Sequence, residues 1–309
     1  MSGVQNPLKR YCLIPATLTP MNRDFEVDYE QLEDYVKWLA KSNIGGVAVN
    51  VDTGEGPHLY PEERINILKV FSKIVKGRIP IIAGLQARNT KEAVKLGLEA
   101  KRVGADGLLV FPHPAFAGEM NSDIIYNYHS EISEKVDLPI ILFQLQPTLG
   151  GVDFQPETLL KLASIKNVTA IKEASFDAKK FVNVVRTLRK TSRKIMVLTG
   201  NDNFIYESLI LGAEGGLLGF GTIAIDKQVE MFNLVAKGRL DEAGKIWKEL
   251  LPLEEAIFAP PVRDYRVRLK EALVMMGVLR TSYVRPPLQP VSAEEKKKLK
   301  KTLKDLDLL

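Results

Sequence analysis

The sequence contains one cysteine, Cys12, and three histidines, His58, His113 and His129, in 309 residues. A single thiol excludes a disulfide framework and a cysteine-built metal cluster, and it fits a reducing compartment. With so few imidazoles, a metal-dependent aldolase would lack its converging ligands. We therefore expect neither metal nor cofactor. Long apolar runs are also missing: none approaches the roughly 18 residues that span a bilayer, and the opening MSGVQNPLKRY lacks the apolar core of a secretory signal. The expected location is the cytoplasm, with no membrane partner. Nor is there a strong excess of one charge, since 43 Lys and Arg against 38 Asp and Glu leave a net +5. Apart from the lysine-rich stretch 296–301, a solvated helix pattern, the basic residues are dispersed. That argues against a nucleic-acid groove and suits an anionic small molecule. No Ser-His-Asp arrangement, dinucleotide fingerprint, linker or low-complexity tract is evident.

What is present is an alternation. Short apolar runs recur every 20 to 35 residues or so, separated by segments of helical period, as in βα units. The strand candidates are YCLIPA from Tyr11, GVAVNV from Gly46, IPIIAG from Ile79, GLLVF from Gly107, PIILF from Pro139, VTAIK from Val168, IMVLT from Ile195 and GGLLG from Gly215. Their near-continuous apolar character is that of parallel strands covered on both faces. Eight of them predict a (β/α)₈ TIM barrel. Among the helices, 28–40 carries an apolar face, Pro61 opens the next, and Thr90 is the expected N-cap of a helix that Gly104 ends. Strands and catalytic face occupy 1–225. Residues 226–309 supply the last barrel helix and a C-terminal helical extension, with patterns near 241–256, 262–276 and 293–306, all in one structural domain.

In such a barrel the chemistry sits at the C-terminal ends of the strands. NVTAIKEAS places Lys172 at the end of an apolar strand, where a flexible cation has no packing reason to be. Desolvation there would lower its pKa from about 10.4 and make it a nucleophile able to condense with a ketone. The alternative is a rim ion pair with Glu173 or another carboxylate. The VDTGEG loop after the second strand, with Asp52, Thr53, Gly54 and Glu55, is either a nest for a carboxylate or a tight turn. TGNDN and GFGT, the latter containing Gly219, are glycine-rich at positions where many barrels bind phosphate.

The ordered segments ATLTPM, TGE, IIAG, GADG, LPIILF, TAIKEAS, LTGND, LGAEG and RPPLQPVS run through nearly the whole chain. Together they resemble the dihydrodipicolinate synthase and N-acetylneuraminate lyase family of Schiff-base barrel enzymes. The resemblance implies that Lys172 forms an imine with a 2-oxo acid and that Thr53 and adjacent amides hold the acid's carboxylate. It also implies that Leu217 offers a backbone carbonyl near the substrate and that the chain assembles as a dimer or tetramer.

The chain departs from the family pattern where protons are relayed. Phe143 stands where the fifth strand usually ends in tyrosine, and Gln144, Leu145 and Gln146 replace the Asn-x-Pro that commonly follows. Thr148 takes the place of the synthases' carboxylate-binding arginine, and His113 and Pro114 occupy a loop that usually holds a second tyrosine. Val51 and Asp52 replace the first two residues of Gly-Thr-Thr-Gly-Glu. The expected activity is an imine-forming lyase, an aldolase or dehydratase on pyruvate or a related 2-oxo acid such as a 2-keto-3-deoxy sugar acid. Asp52, Glu55 or His113 would take over acid/base work. An ionised Asp52 about 4 Å from the substrate carboxylate would cost roughly 4 kcal/mol, so either Asp52 turns away or it is held protonated and serves as a proton donor. Two alternatives are dihydrodipicolinate synthase with a rebuilt relay and a catalytically silent keto-acid-binding barrel.

Overall fold

The computed structural model describes residues 4–118 and 121–309. Its strands are β1 (Leu13–Pro15), β2 (Val47–Val49), β3 (Ile81–Leu85), β4 (Gly107–Val110), β5 (Ile140–Leu145), β6 (Val168–Ala174), β7 (Met196–Thr199) and β8 (Gly215–Leu218). All neighbouring pairs are parallel, in the order β1-β8-β7-β6-β5-β4-β3-β2. A parallel bridge between Ala16 and Ala48 joins the ends of that order, so the sheet closes on itself. The expected TIM barrel is what forms.

The barrel helices are α1 (Tyr29–Leu39), α2 (Pro61–Val75), α3 (Thr90–Val103), α4 (Ser122–Val136), α5 (Pro156–Ala163), α6 (Ala178–Leu188), α7 (Ile205–Ile210) and α8 (Ile225–Ala236). The extension follows as α9 (Leu240–Ile257), α10 (Tyr265–Met275) and α11 (Ala293–Asp305). Capping sets several boundaries. Asp28 accepts from the Gln31 amide at the start of α1, and Ser292 with Glu295 forms a capping box at α11. At α3 the cap is Asn89, which accepts from the Glu92 amide, and not Thr90, which is the first helical residue. Asn and Thr can both cap; the extended backbone of Asn89 puts its side chain over the free N–H groups. Gly104 ends that helix at φ 107°, a conformation that favours glycine.

Strand alternation sorts the side chains into two layers. Ile14, Ala48, Ile82, Leu109, Ile141, Phe143, Ala170, Leu198 and Leu217 fill the barrel interior. Leu13, Val49, Leu108, Leu142, Ile171 and Val197 face the helices in the larger outer core. Lys172 is two residues after Ala170 and two before Ala174, so it shares their inward face. No described helix is long and apolar enough to cross a membrane.

Candidate active site

Lys172 lies in register with Phe143 on β5 and Leu198 on β7. Its residue exposure is 8 %, and its Nζ sits 4.5 Å from the centroid of the Phe143 ring. Burial lowers its pKa, opposed in part by the charges of Asp202 and Asp52. Among the described residues it has no ion-pair partner. Glu173, the neighbour that might have paired with it, points outward and is held by Gln144, Ser175 and Asn201. The loop after β7 leaves room for the lysine because Gly200 has no Cβ; one there would lie 2.6 Å from Lys172 Cε. A buried amine that is unpaired and drawn toward neutrality has the properties of a nucleophile.

Two carboxyl groups stand in the same neighbourhood. Asp202 accepts from the Phe220 amide at 2.8 Å, and burial pushes it up to about 7. Glu254, from α9, is raised to about 8 by burial and by Asp202, and its Oε1 has no hydrogen-bond partner among the described residues. Another part of the site comes from the loop after β2 and from α10. Thr53, which is buried, has its hydroxyl 3.1 Å from that of Tyr265. Tyr265 also donates to Asp52 Oδ2 at 3.1 Å, and its ring stacks on Phe258 with centroids 4.9 Å apart. Gly219, after β8, suits this packing: a Cβ would crowd Tyr265 Cε2 at 3.0 Å and reach Thr53 Oγ1 at 3.4 Å.

Several expected acid/base roles do not fit their surroundings. Burial alone would raise Asp52, but the Arg266 guanidinium, 2.5 Å from Oδ1, holds its carboxyl below the usual range. Asp52 is therefore a carboxylate and not the protonated donor expected above. Glu55 is fully buried in an ion pair with Lys270 and accepts from the Arg285 amide, so it ties the loop to the extension. His113 has both ring nitrogens engaged: Nδ1 accepts from the Ala115 amide, so Nε2 carries the proton that it donates to Arg88 O at 2.9 Å. It lines a cavity of about 610 Å³ with Arg64, Gln86 and Glu92, and Lys172 is not part of that lining. Gln144 faces away from the barrel interior and fixes the Phe154 amide and Glu173, so it is a framework residue and not a substrate contact. Gly54 is packed under Thr17 O, with its carbonyl accepting from Thr19. Leu217 is wholly buried in the interior layer below the site.

The residues that sequence reasoning missed are Gly200, Asp202, Glu254, Tyr265 and Arg266. Asp202 and Gly200 were visible in TGNDN as a glycine-rich strand end. Nothing in the pattern of α9 and α10 marked Glu254, Tyr265 or Arg266 as reaching the barrel mouth.

Comparison with known proteins agrees with this architecture. The chain matches the model of the Dihydrodipicolinate synthetase family over residues 9–306. The 4-hydroxy-tetrahydrodipicolinate synthase of Methanocaldococcus jannaschii is 31 % identical, with 96 % of this chain and 98 % of that protein covered. The enzyme of the same name from Oceanobacillus iheyensis is 30 % identical, covering 96 % and 97 %. Among solved structures, dihydrodipicolinate synthase from Thermotoga maritima superposes with a TM-score of 0.89 at 29 % identity, covering 98 % of this chain and 100 % of that one. The Acinetobacter baumannii enzyme, solved in complex with pyruvate, gives 0.87 at 29 % identity over 98 % and 100 %. The chain is a class I aldolase-type lyase and belongs to the Dihydrodipicolinate synthetase family.

Proposed function

We propose that the protein forms an imine between Lys172 and C2 of pyruvate or a related 2-oxo acid and uses it for aldol cleavage, aldol addition or dehydration. A 2-keto-3-deoxy sugar acid is a fitting substrate of that class. The neutral amine attacks the ketone carbon, and the resulting carbinolamine loses water to give the imine, which accepts electrons from the adjacent carbon. In this reading Thr53 and its loop hold the substrate carboxylate. The observation that carries the proposal is the inward, unpaired and buried Lys172 at the end of β6. Asp202 and Glu254, both drawn toward the neutral acid, are suited to donate hydrogen bonds to a hydroxyl or aldehyde oxygen at the far end of the substrate. Family membership supports a homo-oligomer, dimer or tetramer, in the cytoplasm.

Incubation with pyruvate and borohydride, followed by peptide mapping, tests this. The expected adduct is on Lys172 and vanishes in Lys172→Ala, whereas an adduct on another lysine would refute the assignment.

A second reading, dihydrodipicolinate synthase with a rebuilt site, is favoured by Arg263. Its guanidinium lies 3.7 Å from Asp52 and donates to Leu149 O in the loop that holds Thr148, so a cation is present near the position of the synthases' missing arginine. Turnover of pyruvate with aspartate semialdehyde at about 1 per second or faster would select this reading; sluggish turnover would select the first.

A further inference from the structure

The proton chemistry of an imine-forming site needs a group that removes and returns a proton at C3 of the bound 2-oxo acid. Phe143 cannot do this, Glu55 is committed to Lys270, and His113 has both nitrogens engaged away from the barrel. Asp202 and Glu254 are assigned above to the far end of the substrate, away from C3, which leaves the chain of hydroxyls at the loop after β2.

Its direction is set by the one member that cannot donate. Asp52, held as a carboxylate by Arg266, only accepts, so Tyr265 must give its single proton to Asp52 Oδ2. With that proton committed, the 3.1 Å contact between Tyr265 and Thr53 can only be a bond in which Thr53 donates. The result is an ordered chain, Thr53 to Tyr265 to Asp52, that leaves lone pairs on Thr53 Oγ1 as its open end. The chain is rigid. Tyr265 is 8 % exposed, stacks on Phe258 and lies against Gly219, where a Cβ would crowd its ring at 3.0 Å. Arg266 grips Asp52 twice, through Oδ1 and through the backbone carbonyl at 2.7 Å. The chain shares the barrel mouth with Lys172: Gly219 abuts Tyr265 and Thr53, the next amide, Phe220, donates to Asp202 in the loop after β7, and Gly200 in that same loop abuts Lys172.

We propose that Tyr265, supplied by α10, is the relay hydroxyl of this site, passing protons between Thr53 and Asp52 in place of a hydroxyl on β5. The inference rests on the imine reading above. When the protonated imine (iminium) becomes a neutral enamine, the C3–H electron pair becomes the C2–C3 double bond and the C=N pair moves onto nitrogen. The C3 proton goes to Thr53 Oγ1, the Thr53 proton to Tyr265, and the Tyr265 proton to Asp52. Return of the proton reverses each transfer. Burial and the Asp52 carboxylate raise the phenol well above its ordinary value, so Tyr265 does not rest as a phenolate and moves its two protons together. It acts on substrate through Thr53 and is a positioning residue, not one that touches the reacting carbon.

Exchange of the pyruvate methyl protons in D₂O, followed by proton NMR, measures this step without knowledge of the second substrate. Borohydride trapping at Lys172 is measured in parallel on the same full-length protein. In Tyr265→Phe, trapping should reach the wild-type extent while exchange slows about 10²-fold. Asp52→Asn, which removes the carboxylate that receives the proton at the end of the chain, should slow exchange per trapped imine about as much and serves if the first variant fails to fold. Wild-type exchange in either folded variant overturns the proposal. So does loss of trapping together with exchange in folded Tyr265→Phe, which would make the residue a wall of the pocket. A wild-type protein that traps but does not exchange pyruvate also overturns it. A wild-type protein that does not trap refutes the imine reading itself, and the relay falls with it.

Discussion

At Gly200 the backbone after β7 passes close enough to Lys172 that a methyl group would lie 2.6 Å from Cε and 2.9 Å from the Ala174 Cβ. Neither contact can be relieved without moving the lysine, because Ala174 is fixed in the barrel wall and Lys172 is enclosed by Phe143 and Leu198. Gly200→Ala should therefore leave a folded barrel, at an overpacking cost of about 1–3 kcal/mol, but slow pyruvate trapping at Lys172 by about 10²-fold through misplacement of the amine. Trapping at the wild-type rate would show that the amine has more freedom than the packing allows. The lysine itself was legible in the sequence because a cation ending an apolar strand has no packing explanation. The reason for the glycine was not, since TGND reads equally well as a ligand-binding turn. Only the fold shows that the glycine accommodates a side chain 28 positions earlier.

The eight strands and their order could be read from alternation and turn residues, since each strand is buried on both faces and is nearly continuous in apolar character. The extension could be located but not interpreted. In α10 the run YRVRLKE is dense in charge, yet residues from Tyr265 to Leu273 are all buried. Its charges are paired across long sequence distances, Arg266 with Asp52, Lys270 with Glu55 and Arg268 with Glu295. Local periodicity cannot report such pairing. The same limit hid Glu254 on α9, which a sequence pattern presents as one more surface acid. A glutamate at about 4.3 in the unfolded chain and about 8 when folded keeps a proton in the native state that the unfolded state has released. Its contribution to stability is complete below about pH 4 and is lost as pH rises toward about 8. Glu254→Gln, which keeps the shape without the titration, should raise the melting temperature at about pH 9 more than at about pH 5. An equal change at both values would mean that the carboxyl is ionised in the folded protein throughout.

At the scale of the whole molecule, a closed barrel brings the end of β6, the loop after β2 and the C-terminal extension to one mouth, although they are separated by up to about two thirds of the chain. Each contributes something the others lack: β6 the buried amine, the loop Thr53 and Asp52, and the extension the tyrosine and guanidinium that order the loop. The family's usual hydroxyl on β5 is absent because Phe143 fills that place. Membership in the family therefore identifies the class of chemistry, while the extension sets how this chain carries protons. The central claim is that Lys172 bonds covalently to a 2-oxo acid whose carboxylate rests on the Thr53 loop. A crystal structure of the protein soaked with pyruvate tests it most directly. The account predicts continuous density from Lys172 Nζ to C2 of the ligand, with the carboxylate at Thr53; density for pyruvate bound elsewhere, or lying free beside an unmodified Lys172, would contradict it.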